Sequence, residues 1–247
     1  MKIIVLAKHA PDPESEISVA SDGKSVSQSG LVYDINDWDR YAVEEAIRIK
    51  EDKGGEVVVV GVGTNCDDTL RKCLAMGADR AIKIPVDTSF DAYTTAEVIK
   101  EAIKDEQFDM IFAGLMSQDL NNAQVGVLLA AMLDLPVATA ATELKVEDGK
   151  VIARRELEGG YLEEVELPTP CVITIQSGIN EPRYVSIMGI KRAKSKEMKE
   201  VSVSPSISTL EIEKMYLPPV KKAEMIEGDP SQVAEKLIEI LKERGLI

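Results

Sequence analysis

Histidine occurs once in this sequence, at position 9, and cysteine three times, at 66, 73 and 171, without CxxC spacing. A His-rich or Cys-rich metal site therefore has no ligand set to draw on. The odd, scattered thiols also argue against a disulfide framework and for a reducing cytoplasm. Aromatics make up only 4% of the 247 residues, so the core must be aliphatic, which suits an α/β protein better than an aromatic-rich sandwich. Apolar runs of the roughly 18 residues that a spanning helix needs are missing, and no membrane insertion is expected. "MKIIVLAKHAPDP" turns polar too early for an export signal and reads as a first strand. Basic residues are outnumbered 43 to 29, a net charge of -14, which opposes generic nucleic-acid binding. There is no G-x-S-x-G elbow, Walker A loop or G-x-G-x-x-G fingerprint; "GVGTN", Gly61 to Asn65, is the nearest glycine pattern. No residue is assigned a catalytic role.

What is present is an alternation of strands and helices. "KIIVLA" (2–7), "EVVVVGVG", "RAIKIPV" and "FDMIFAGL" are apolar runs of strand length. Between them, "NDWDRYAVEEAIRIKEDKGG" (36–55) reads as a helix with Trp38, Ala42, Ala46 and Ile49 on one face, Asn36 or Asp37 as cap and paired glycines as stop. "NCDDTLRKCLAMGA", "SFDAYTTAEVIKEAIKDE" and "NNAQVGVLLAAMLDL" give three more helices. Apolar strands separated by helices predict a doubly wound, mostly parallel, Rossmann-like α/β sheet. After Ala140, "ATELKVEDGKVIARRELEGGYLEEVELPTPCVITIQ" alternates apolar and polar residues and reads as antiparallel strands added to that sheet. Residues 1–200 form the expected nucleotide-binding domain and 201–247 a C-terminal arm. The arm ends in "DPSQVAEKLIEILKERG", where Asp229 caps, Pro230 fits the first helical position, and Val233, Leu237, Ile240 and Leu241 form an apolar stripe suited to a partner subunit or to the domain itself.

Three loops should gather at the C-terminal edge of the parallel strands: "KHAPDP" (8–13), "VGTN" (62–65) and "GLMSQDLNNAQVG" (114–126). The helix opening near Asn121 to Gln124 is the best phosphate cradle, although Asp119, Asn121 and Asn122 serve equally as caps and turn formers. A second feature is local charge reversal. From Arg183 to Lys199 six basic residues face one acid, Glu197, among Tyr184, Ile187, Met188 and Ile190.

The order "YAVEEAIRIKED", "LRKCLAMGADRAIKI", "DAYTTAEVI", "AQVG" and "RELEGG…LPTPCVITIQSGINEPRYVSIMGIKRAKSK" resembles the beta subunit of electron transfer flavoproteins, over Met1 to about Lys196. The resemblance implies an alpha-subunit partner and an FAD at the shared interface, relaying electrons between dehydrogenases and quinone or ferredoxin-linked acceptors. It also implies a second nucleotide in this chain, AMP in ordinary members and a second FAD in members that bifurcate electrons from NADH. Positions matching the nucleotide site are Leu6, Ala7, Lys8, Asn36, Val62, Asp119, Asn121, Asn122, Ala123, Gln124, Val125 and Gly126. Gln124-Val125-Gly126, lacking the threonine common in AMP binders, favours the second FAD. Trp38 and Glu156 take places near the interface flavin, against alternatives of a core anchor and a solvated strand face. Tyr184, Ile187, Met188, Lys191 and Arg192 belong to a recognition segment for a dehydrogenase or quinone-oxidoreductase partner, with Ile187 as the apolar plug. The rival class is an AMP- or ATP-binding sensor of the universal stress type, without a redox role, whose usual glycine-rich phosphate motif is missing here.

Overall fold

The structure, a computed structural model, describes residues 1–87, 91–205, 210–219, 223 and 225–247. Its frame is a nine-stranded sheet. The chain order is β1 (Lys2–Leu6), β2 (His9–Pro11), β3 (Tyr33–Ile35), α1 (Asp37–Lys53), β4 (Glu56–Val62), α2 (Asp67–Met76), β5 (Arg80–Ile84), α3 (Ala92–Ala102), β6 (Met110–Gly114) and α4 (Val125–Leu133). It continues through β7 (Val137–Glu147), β8 (Lys150–Glu156), β9 (Leu162–Pro168), β10 (Cys171–Ile175), α5 (Ile187–Ala193), β11 (Met198–Glu200) and α6 (Pro230–Glu243). The strands lie in the order β11-β5-β4-β1-β6-β10-β7-β8-β9, while β2 and β3 pair as a separate antiparallel ribbon. The sheet is parallel from β11 to β7; β8 and β9 then add antiparallel.

Pleating sends alternate residues of each strand to opposite faces, and both faces are covered. Ile3, Val5, Val57 and Val59 join one buried cluster with α1 and α2, whereas Ile4, Leu6, Val58 and Val60 join another with α3 and α4. Each such side chain contributes about 1.5–3 kcal/mol of burial, which is why the inner strands read as unbroken apolar runs. The helix stops act as expected at α1 and α2, where Gly54 and Gly77 take positive φ beyond the last turn.

Three expectations need correction. Helix α4 begins at Val125, so 121–124 are loop, with left-handed backbone at Asn121 and Ala123. β10 does not extend the antiparallel series but lies parallel between β6 and β7. All five of its residues are buried, the mark of a strand covered on both faces rather than one. The basic segment, expected from the sequence to lie beyond the last strand, instead runs into one: β11 begins at Met198 and pairs with β5. The first two residues of the expected third helix, 89 and 90, lie outside the described residues.

Candidate functional site

Strand order reverses beside β1. The chain runs from β1 outward to β4 and β5, then returns to β6 on the other side. Adjacent loops diverge at such a point and leave a crevice at the strand C-termini. Here one helix turn ties the two strand ends together. Asp39, in the first turn of α1, is buried and accepts hydrogen bonds from Lys8 N–H (2.8 Å, Oδ2) after β1 and from Gly114 N–H (2.9 Å, Oδ1) at the end of β6. One carboxylate thus bridges the two diverging strands. The approach is close enough to require glycine: a Cβ on Gly114 would lie 2.4 Å from Asp39 Oδ1 and 2.7 Å from Trp38 Cβ.

Asn36 occupies the N-cap position of α1 but makes no side-chain cap bond. Its Nδ2 instead donates to Met116 O (2.9 Å), and its Oδ1 accepts from Gln118 N–H (3.0 Å). Gln118 completes the clasp, donating from Nε2 to Pro11 O (2.7 Å) and accepting from Asp37 N–H (3.1 Å). Lys8 reaches the same loop, with Nζ 2.6 Å from both Asp119 oxygens and 3.2 Å from Ser117 Oγ. The structure therefore brings together Lys8, Asn36, Asp119 and the 114–119 loop. Leu6 and Ala7 are buried beneath them. Residues 121–124 are exposed, and Gln124 leaves the N-terminus of α4 without a side-chain cap. Free N–H groups at that turn are what a phosphate would take. Val62 lies on the same edge at the end of β4, and its loop is fastened toward β5 by Gly63 N–H to Ile84 O (2.9 Å). His9 is turned away, stacked on Tyr33 at 4.5 Å with Nδ1 2.9 Å from Thr69 Oγ1.

Burial pushes the Asp39 carboxyl up to about 6, against the pull of the Lys8, Asn36 and Gly114 hydrogen bonds. Since this value is raised above that of the unfolded chain, protonation favours the fold. The stabilisation is complete below about pH 4 and lost as pH rises through about 6. Asp39→Asn cannot take up that proton. Its stability relative to wild type is expected to fall by about 1 to 1.5 kcal/mol between about pH 7.5 and pH 5, read by urea unfolding. A difference independent of pH would mean Asp39 titrates normally. At Asp119, burial pushes the carboxyl up, but the bonds and charge of Lys8, with Ser117, pull it further down, so it remains ionised.

Trp38 is half-buried, donates from Nε1 to Gln176 Oε1 (3.0 Å), and lines a depression of about 360 Å³ with Asp37, Arg40, Tyr41, Ser177 and Pro182. Glu156 is exposed at the end of β8, opposite Leu162 of β9.

The basic segment is fixed from beneath. Arg183 bonds Glu44 through Nε (2.8 Å) and Nη2 (3.1 Å), and Glu51 through Nη1 (2.7 Å) and Nη2 (3.0 Å). Asn180 Nδ2 donates to Tyr41 O and Glu45 Oε2, and Arg71 donates to the carbonyls of Ala193 and Lys196. Gly189 rests against α2, where a Cβ would come within 2.5 Å of Ala75 O. The outer side is left bare, with Tyr184 94% and Ile187 74% exposed and Met188 and Ile190 beside them. Lys191 and Arg192 are exposed at the last turn of α5. Asp39, Gln118, Glu44 and Glu45 were not singled out from the sequence. An acid in the first turn of a helix, or a Glu-Glu pair in its middle, normally marks a solvated face.

A doubly wound, mostly parallel α/β sheet with loops clasped over its switch point places the chain among the α/β proteins of Rossmann-like architecture. Comparison with known proteins narrows this. The electron transfer flavoprotein domain matches residues 24–206. The "Electron transfer flavoprotein subunit beta" of Methylophilus methylotrophus is 42% identical, covering 98% of both chains. That of Bacillus subtilis is 34% identical over the whole of both. The "Caffeyl-CoA reductase-Etf complex subunit CarD" of Acetobacterium woodii is also 34% identical over the whole of both. The chain belongs to the electron transfer flavoprotein family, among its beta subunits. The family is flavin-associated, and its beta subunits pair with alpha subunits. A universal-stress-type sensor is not favoured by these matches. Among the described residues no helix is long and apolar enough to cross a membrane, and no acidic or His/Cys group could hold a metal ion.

Proposed function

We propose that this chain pairs with an alpha subunit to relay electrons through an FAD at their shared interface, between dehydrogenases and quinone or ferredoxin-linked acceptors in the cytoplasm. The observation that carries this reading is the division of the surface into two built regions. One is a clasped crevice at the switch point; the other is an apolar, cation-rimmed segment rigidly mounted on α1 and α2. The crevice holds an adenine nucleotide, AMP or a second FAD. The uncapped turn of α4 and residues 121–126 supply N–H groups for its phosphate, and Leu6, Ala7 and Val62 form its apolar floor. Trp38 and Glu156 border the interface flavin. When bound, that group supplies the redox chemistry, while the protein positions it and tunes its potential by charge and hydrogen bonds. Of the arm, the terminal helix α6 packs on the partner subunit, while Val201 and Val203 pack against this chain's own core and Met215 N–H bonds Gly23 O. Within the arm, α6 carries its Asp229–Gln232 capping box and Pro230, with no buried residue.

Purification from the native source is expected to yield a yellow complex with a second flavoprotein chain. Denaturing it and counting flavin per αβ unit separates the two nucleotides: two FAD for a bifurcating assembly, one FAD plus AMP for an ordinary one. The Gln124-Val125-Gly126 turn favours the second FAD. A colourless, single-chain preparation would remove the redox reading altogether.

The segment around Ile187 is the docking surface for the electron-transfer partner, with an apolar anchor for affinity and Lys191 and Arg192 at its rim for steering. Ile187→Ala is expected to weaken partner reduction about tenfold, the scale of one lost buried aliphatic side chain, with flavin absorbance unchanged. Loss of flavin from that variant would make the segment structural instead.

A further inference from the structure

Loops 8–13, 62–65 and 114–126 contain a single lysine or arginine, Lys8, against Asp12 and Asp119. Both Asp119 oxygens lie 2.6 Å from its ammonium group. The buried carboxylate of Asp39 sits just behind, on the backbone N–H of the same lysine. A phosphate entering the crevice therefore meets a cation that is already neutralised. What attracts it is the uncapped first turn of α4, whose partial charge suits one phosphate or a phosphodiester. Each further phosphoryl group adds about one negative charge and must approach Asp119 with nothing to offset it.

We propose that Asp119 is a specificity-determining residue: by occupying Lys8 it confines the crevice to nucleotides of low phosphate charge, such as AMP or the pyrophosphate diester of FAD, and turns triphosphates away. This rests on the crevice being the nucleotide site, and the experiment separates the two claims.

The full-length chain, stripped of co-purified nucleotide, is titrated with AMP and with ATP by calorimetry in the presence of a metal chelator. Wild type is expected to prefer AMP by about tenfold or more. Asp119→Asn keeps the side-chain shape and frees Lys8, so the preference should shrink about tenfold, with ATP gaining most. Adding Lys8→Met to Asp119→Asn should abolish the ATP gain, because the freed ammonium is its cause. A general loosening of the loop would not be undone by removing that cation. An unchanged AMP-to-ATP ratio in Asp119→Asn, or a gain that survives Lys8→Met, overturns the role of Asp119 while leaving the nucleotide site intact. Wild type that binds neither nucleotide, and does not bind FAD in the same titration, sinks both claims.

Discussion

Replacing Gly114 by valine is expected to destabilise the protein by about 4 kcal/mol, the sum of overpacking a tight contact and losing a charge-assisted bond to a buried N–H. Even the first added carbon would sit 2.4 Å from Asp39 Oδ1 and 2.9 Å from Asp39 N, and a helix backbone cannot yield as the end of a flexible side chain can. The first turn of α1 must move, taking Asn36, Trp38 and Asp39 with it. Nucleotide affinity should therefore fall together with stability. Gly126 provides the contrast. An added Cβ there meets Thr174 Cγ2 at 2.9 Å and Ala113 Cβ at 3.1 Å, two methyl carbons where Gly114 faces a hydrogen-bonded carboxylate and a helix backbone. Gly126→Ala should lose only about 1–2 kcal/mol. Urea denaturation of both variants decides the matter; a Gly114→Val protein within about 1 kcal/mol of wild type would mean that α1 is not pinned to β6.

The contrast between these glycines illustrates what a sequence carries and what it does not. Strands β1, β4, β5 and β6 were legible because burial on both faces demands unbroken aliphatic runs, and helix ends were legible because Gly54 and Gly77 need left-handed backbone. β8 and β9 were legible as one-sided strands, with alternating burial along each. The insertion of β10 beside β6 was not, although the signal existed: "CVITI" is continuous where its neighbours alternate. Local pattern reports how many faces of a strand are covered, never which strand lies alongside.

Site residues divide along the same line. Lys8 and Asp119 lie in two of the loops expected at the sheet edge, with Asn36 bonded to the second of them, but their partners were not foreseeable. Asn36 has the composition of a cap and spends its side chain on the 116–118 backbone instead. Lys8 has the composition of a phosphate ligand and is held by Asp119. Asp39 carried no signal, because an aspartate in a first helical turn is ordinary until tertiary packing buries it between two strand ends.

The segment proposed for docking depends on a pairing of the same hidden kind, and Arg183→Ala is expected to cost about 3–4 kcal/mol. Glu44 is only 3% exposed, and Arg183 provides it with hydrogen bonds from Nε, Nη2 and its own backbone N–H; Arg48, 51% exposed, adds one more at 3.2 Å. Arg183→Ala leaves the buried carboxylate only the backbone N–H at position 183 and the solvent-facing Arg48, and the loss of both guanidinium bonds and their charge outweighs anything a surface ion pair could supply. Glu44 itself can be removed along with the arginine. The double variant Glu44→Leu with Arg183→Met places apolar atoms where the pair had been, and it should be less destabilised than the sum of the single variants by about 2 kcal/mol. The functional consequence follows from the mounting. Residues 183–193 expose Tyr184, Ile187 and Met188 only because Arg183, Asn180 and Gly189 hold the inner side against α1 and α2. With the arginine gone, the exposed anchor loses its fixed orientation, and affinity for the electron-transfer partner should fall while the crevice, 36–39 and 114–119, keeps its bonds. A thermodynamic cycle that sums additively, or a variant whose nucleotide affinity drops as far as its partner affinity, would show that this ion pair serves the fold at large and not the presentation of the segment.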